Sequence, residues 1–143
     1  MNERNRDAEV VLEMGNWVND LASWQVISHL TFRWEASIWS AQRAYEKFMR
    51  KEMVGVSYFY ALEPNPSRDG FHAHSLWVDC ASKSRRDVWR TWFDRYGRAR
   101  IEPVRDKEDV TGYCSKYVTK QGAWWDLKVQ PHLLKRGFIL GAS

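Results

Sequence analysis

Two stretches of this 143-residue chain place reactive side chain types at useful spacings. The first is His72–Ala73–His74. Residues i and i+2 of a strand share a face, so both imidazoles would look into one place. Two imidazoles are a natural start to a metal site, but chemistry needs a further donor and an open position. Glu63 ends the preceding extended stretch, and a hairpin would bring its carboxylate beside His72; Asp69 and Asp79 compete for the same role. The alternative is that both histidines hydrogen-bond locally and hold nothing. The second stretch is Tyr113–Cys114–Ser115–Lys116–Tyr117–Val118–Thr119–Lys120. On a helix Tyr113 and Tyr117 are i,i+4 neighbours, with Lys116 and Lys120 at the same period beside them. A nearby ammonium favours the phenolate, which makes a tyrosine nucleophile plausible. Val110, Tyr113, Cys114 and Tyr117 also make an ordinary core stripe with solvated lysines.

The surrounding pattern supplies elements to hold these groups. Residues 7–22 read as an amphipathic helix, with Val10, Met14, Trp17 and Leu21 at helical spacing. Residues 26–34 alternate, Leu30, Phe32 and Trp34 against His29, Thr31 and Arg33, and read as a strand. A helix over 36–52 follows, then strands over 54–63 and 71–79 joined by the Pro- and Gly-containing loop 64–70. Ser84 and Asp87 have capping-box spacing before a stripe of Val88, Trp89, Trp92, Phe93 and Tyr96 that stops at Gly97. A short strand over 98–104, a helix over 106–120 capped near Asp106, and a candidate strand over 124–129 complete the order. The expectation is an α+β fold of ferredoxin-like type, a central antiparallel sheet with helices packed on it, forming a single domain over 1–143.

Composition narrows the class. The chain is 44% hydrophobic and 28% charged, which argues for a packed core rather than disorder. No run approaches a membrane span, and the polar N-terminus lacks the apolar run of a secretory signal. Cys80 and Cys114 make neither a disulfide framework nor a zinc pair, and are expected as reduced thiols of a cytoplasmic protein. Residues 1–20 hold two Arg against five acids, a net of −3, whereas 83–120 hold eleven Lys and Arg against six acids, a net of +5. Six aromatic residues are interleaved in that basic segment. Cations beside stackable rings suit single-stranded nucleic acid, although a basic helix face is also commonly just solvated.

Taken together, the two stretches resemble the HUH endonuclease superfamily, the nicking domains of rolling-circle replication initiators. The family's first motif, a strand ending in Leu–Thr–aromatic, is matched by Leu30–Thr31–Phe32. Its paired histidines are matched by His72–Ala73–His74, and its YxxK helix by Tyr113–Cys114–Ser115–Lys116. The repeat through Tyr117 and Lys120 is similar to the two-tyrosine initiators of microviruses. The resemblance spans about 26–121.

It implies a divalent metal, Mg²⁺ or Mn²⁺, on His72, His74 and Glu63, and attack on DNA by Tyr113, with Tyr117 for a later round and Lys116 stabilising charge. Imidazole donors would also allow Zn²⁺, Ni²⁺ or Co²⁺. The implied partner is a single-stranded or hairpin origin, with Arg85, Arg86, Arg90 and Arg95, together with Thr31 and Arg33, as DNA contacts. No P-loop pattern occurs in the sequence, so either a host helicase does the unwinding, with a host polymerase as a further companion, or the chain is a stand-alone or excised nicking domain. Three rival readings remain. Single-tyrosine transposases share the paired histidines but typically carry Gln where this chain has Tyr117. A non-catalytic single-strand binder could keep the fold. A metal-dependent hydrolase would use water and form no adduct.

Overall fold

Strand and helix signals alternate along the chain, and each helix in the middle of the sequence begins at a side-chain cap. In the computed structural model, which describes residues 3–80, 82–118 and 124–130, the elements are α1 (Glu3–Leu21), β1 (Val26–Leu30), α2 (Ile38–Glu52), β2 (Ser57–Pro64) and β3 (Phe71–Val78), followed by α3 (Arg85–Arg95), β4 (Ala99–Pro103), α4 (Lys107–Tyr113), a π-helical turn (Cys114–Val118) and β5 (Trp124–Lys128). Ser37, Ser84 and Asp106 cap α2, α3 and α4, each side-chain oxygen accepting from a backbone N–H three residues on at 3.1–3.3 Å.

The sheet runs β4-β1-β3-β2-β5, and every neighbouring pair is antiparallel. Units β1-α2-β2 and β3-α3-β4 interlock, so that β3 lies between β1 and β2. This is the split βαβ arrangement with β5 added at one edge, an α+β fold.

Side-chain parity gives the sheet two faces. Leu30, Tyr60, Leu62, Ala73 and Trp77 point toward α2 and α3, burying Tyr45, Phe48 and Trp92 between them. The polar tips there are paired. Trp77 Nε1 donates to Tyr45 Oη at 3.0 Å, Tyr45 is bonded to Ser75, and Ser75 Oγ donates to the Phe59 carbonyl at 3.2 Å. Such a closed chain lets large aromatics be buried without orphaned polar atoms. Phe59, Ala61, Leu76 and Val78 face the other way, toward Val18 and Leu21 of α1 and Val110 and Tyr113 of α4. Among the described residues no helix is long and apolar enough to cross a membrane.

Two elements differ from the sequence-based expectation. The strand expected over 26–34 stops at Leu30, because the chain leaves the ladder to bond the α3–β4 turn. Thr31 N donates to the Arg98 carbonyl at 2.9 Å and Arg33 N to the Tyr96 carbonyl at 2.8 Å. The helix expected over 106–120 is α-helical only to Tyr113 and continues as the π turn; Thr119 and Lys120 lie outside the described residues. A π turn closes on i→i+5 hydrogen bonds, so the plain α-helical period expected over 106–120 ends at Tyr113.

Candidate metal centre

The β2–β3 hairpin builds most of the site. Its loop turns through Gly70, at φ +97°, where an added Cβ would lie 2.8 Å from Ala36 N, so glycine alone fits. The resulting register sets Glu63 opposite His72 and Ala61 opposite His74, all on the face covered by α1 and α4. Glu63 Oε2 lies 3.4 Å from His72 Nε2 and 3.2 Å from His74 Nε2, and the two Nε2 atoms are 3.0 Å apart. The histidine side chains are 8% and 3% exposed and the Glu63 side chain 12%, so the group is desolvated yet reachable from one end of the sheet. Asp69 sits exposed in the loop and Asp79 follows the far end of β3, so of the three competing carboxylates Glu63 is the one at the histidines.

A fourth group joins them. Strand β1 is the other neighbour of β3 and pairs His29 with His74. The His29 ring lies 4.3 Å from that of His74 and 5.0 Å from that of His72, and one nitrogen from each of the three lies within 4.8 Å of the others. Burial, with His72 and Arg100 adding to it, pushes the His29 pKa down to about 4, so the ring is neutral at pH 7. His29 was not among the sequence-derived ligands. A single histidine on an alternating strand reads as its polar side. The signal that finds it is topological: in this strand order β1 flanks β3, and equal parity puts its polar side beside the paired histidines.

The hydrogen bonds behind the ring determine what His72 presents. Asn65 Nδ2 donates to the Asp69 carbonyl at 3.2 Å, which orients the amide so that its oxygen faces His72 Nδ1 at 2.9 Å. An amide oxygen only accepts, so neutral His72 carries its proton on Nδ1 and aims an Nε2 lone pair at Glu63 and His74. Two nitrogens each about 2.1 Å from one ion and at right angles around it sit about 3 Å apart. That matches the observed 3.0 Å between Nε2 atoms. His29, His72 and His74 could therefore hold a metal ion, with the Glu63 carboxylate 3.2–3.4 Å from two of them.

Tyr113 lies on the same face. Its ring is 6.4 Å from that of His74, edge to face, and its hydroxyl donates to the His74 carbonyl at 2.6 Å. The residue is 4% exposed. Lys116 is exposed on the π turn; the Tyr117 side chain and all of Lys120 lie outside the described residues. Cys114, next to Tyr113, has its thiol pushed up to about 12 by burial, which makes it unreactive at neutral pH.

The structure does not gather the expected DNA contacts at this site. Arg85 lines an apolar cavity with Val26, Trp77 and Pro103, at the opposite end of the sheet from His29 and His72. Arg86 and Arg90 are exposed, and Arg95 is ion-paired with Glu52 at 2.7 Å. Thr31 and Arg33 are at the site end but have structural work. Thr31 Oγ1 accepts from Arg98 N at 3.0 Å, and Arg33 donates to the Phe93 and Asp94 carbonyls that close α3.

No family model, curated protein or solved structure matches this chain.

Proposed function

We propose that this chain is an HUH-type nickase and strand transferase, which cuts single-stranded or hairpin origin DNA to start rolling-circle replication. One observation carries the reading: His29, His72, His74 and Glu63 converge on the sheet face that Tyr113 covers, with ring centres of Tyr113 and His74 6.4 Å apart.

A divalent ion held by these four residues, Mn²⁺ or Mg²⁺ on the family's pattern, would polarise the scissile phosphate as a Lewis acid. The protein's own part is to keep His29 neutral by burial, to fix the His72 tautomer through Asn65, and to supply the nucleophile. The tyrosine oxygen loses its proton and attacks phosphorus. The P–O3′ bond breaks, the phosphate stays on the protein as a 5′-phosphotyrosine, and the 3′ oxygen takes up a proton. Lys116, and Lys120 by its place in the motif, are the cations that would favour phenolate and stabilise developing charge. A host polymerase would extend the free 3′-OH and a host helicase would open the duplex, which puts the reaction in the host cytoplasm.

Tyr113 takes the first attack because it opens the YxxK motif. Its low exposure and its bond to the His74 carbonyl favour a second assignment within the same chemistry, in which Tyr117 attacks first. The test is a denaturing gel for covalent protein–DNA adducts with labelled origin strands. It compares wild type, Tyr113→Phe, Tyr117→Phe and the double variant. Loss of adduct in Tyr113→Phe alone supports the first assignment, and loss in Tyr117→Phe alone supports the second. Adducts in the double variant would overturn tyrosine attack. Cleavage without any adduct would indicate a water-using hydrolase, and binding without cleavage a silent DNA-binding module.

A further inference from the structure

Beside the histidine cluster, three chain segments meet around a cleft of about 510 Å³ lined by Thr31, Arg33, Asn65, Arg68, Phe93 and Arg98, among others. Two glycines let the segments close. Gly70 packs on Ala36, and Gly97 lies so near Thr31 that an added Cβ would be 2.3 Å from its carbonyl oxygen. Among the described residues, no carboxylate lines the cleft.

Two of its three guanidinium groups are anchored. Arg33 is tied to the Phe93 and Asp94 carbonyls and lies 5.0 Å from the centre of the Phe93 ring. Arg68 donates to the carbonyls of Phe32 and Arg33. The exposed ring of Trp89 stacks on Phe93 at 5.0 Å, with 10° between the planes. Neighbouring aromatics left in solvent, beside guanidinium groups with N–H donors to spare, are what a base and a phosphate together require. Asn65 connects cleft and cluster, since it lines the one and bonds His72 of the other.

We infer that this cleft binds one nucleotide of a single DNA strand, the one adjoining the scissile phosphate at the His29, His72, His74 and Glu63 cluster. Arg68 and Arg98 take its phosphate, and the Arg33–Phe93–Trp89 stack takes its base. The inference rests on the nickase reading for its ligand, and its test is separable from that reading.

The experiment measures binding of a fluorescent oligothymidine strand by the full chain in EDTA, where no cleavage occurs, across a salt series. Variants are Arg68→Ala, Arg98→Ala and Trp89→Ala, with Lys51→Ala as an equal charge change on α2. Arg98 and Trp89 are exposed, so their variants keep the test open if Arg68→Ala fails to fold. Each arginine variant is expected to weaken binding about tenfold and to flatten the salt slope by about one. Trp89→Ala should weaken binding without changing the slope, and Lys51→Ala should change it less than about twofold. Wild-type affinity in Arg98→Ala and Trp89→Ala overturns the cleft, even if the wild type forms adducts. Weakened binding in those variants from a chain that never forms an adduct upholds the cleft and overturns the nickase. No strand binding by the wild type overturns the cleft outright.

Discussion

At the scale of single residues, His29 bears on which ion the proposed centre would prefer. With three imidazoles and one carboxylate the donors are mostly nitrogen, which favours Mn²⁺, Co²⁺ or Zn²⁺ over Mg²⁺. Calorimetric titration should therefore show tighter binding of Mn²⁺ than of Mg²⁺, and His29→Ala should weaken Mn²⁺ by at least about tenfold. Equal affinities in the variant and wild type would remove His29 from the site. The same residue gives a pH signature in metal-free protein. Its folded pKa of about 4 lies below its ordinary 6.5, so the unfolded chain binds more protons between these values. The contribution is complete above about pH 6.5 and is lost as pH falls toward 4. His29→Phe should show a shallower loss of melting temperature across that window.

At the scale of elements, the hairpin, the paired histidines and the caps at Ser84 and Asp106 were legible in the sequence because each depends on neighbours a few residues away. Parity alone put His72 and His74 together, and turn chemistry marked the loop that carries Glu63 to them. What alternation could not show was where the β1 strand stops. Its end depends on Arg98 and Tyr96, more than sixty residues further along. The π turn was hidden for a similar reason: helical periodicity in Val110, Tyr113 and Tyr117 looks the same whether or not one residue is accommodated as a bulge. The α3–β4 turn yields a sharp check. Gly97 approaches Thr31 too closely for any side chain, so Gly97→Ala should cost on the order of 1–3 kcal/mol, read from urea unfolding. An unchanged midpoint would mean that the end of β1 moves freely away from the turn.

At the scale of the whole molecule, the proposed metal donors and the arginine-lined cleft occupy separate places. The donors occupy the face under α1 and α4, whereas the arginine-lined cleft lies between the loops at that end of the sheet. On the nickase reading, chelation should abolish cleavage while leaving single-strand affinity within about threefold, because phosphate contacts would supply most of the binding free energy. A parallel loss of both on adding EDTA would show that the ion also holds the DNA. Charge is unevenly spread in sequence too, from −3 over residues 1–20 to +5 over 83–120, so affinity should be strongly salt-dependent despite a net charge of only +4.

The β2–β3 hairpin has a bearing on the order of assembly. Glu63, His72 and His74 all lie within it, and joining them closes only a short loop. His29 arrives on β1, which is synthesised first but whose two sheet partners, β3 and β4, are both made later. Three of the four donors can thus come together while most of the sheet is still open, and β1 then seals the fourth. An ion already gripped by that half-built hairpin adds less to final stability than one that recognises only the finished fold. Such an ion would act more on timing, by pinning the register of the central strand before the rest of the sheet closes around it.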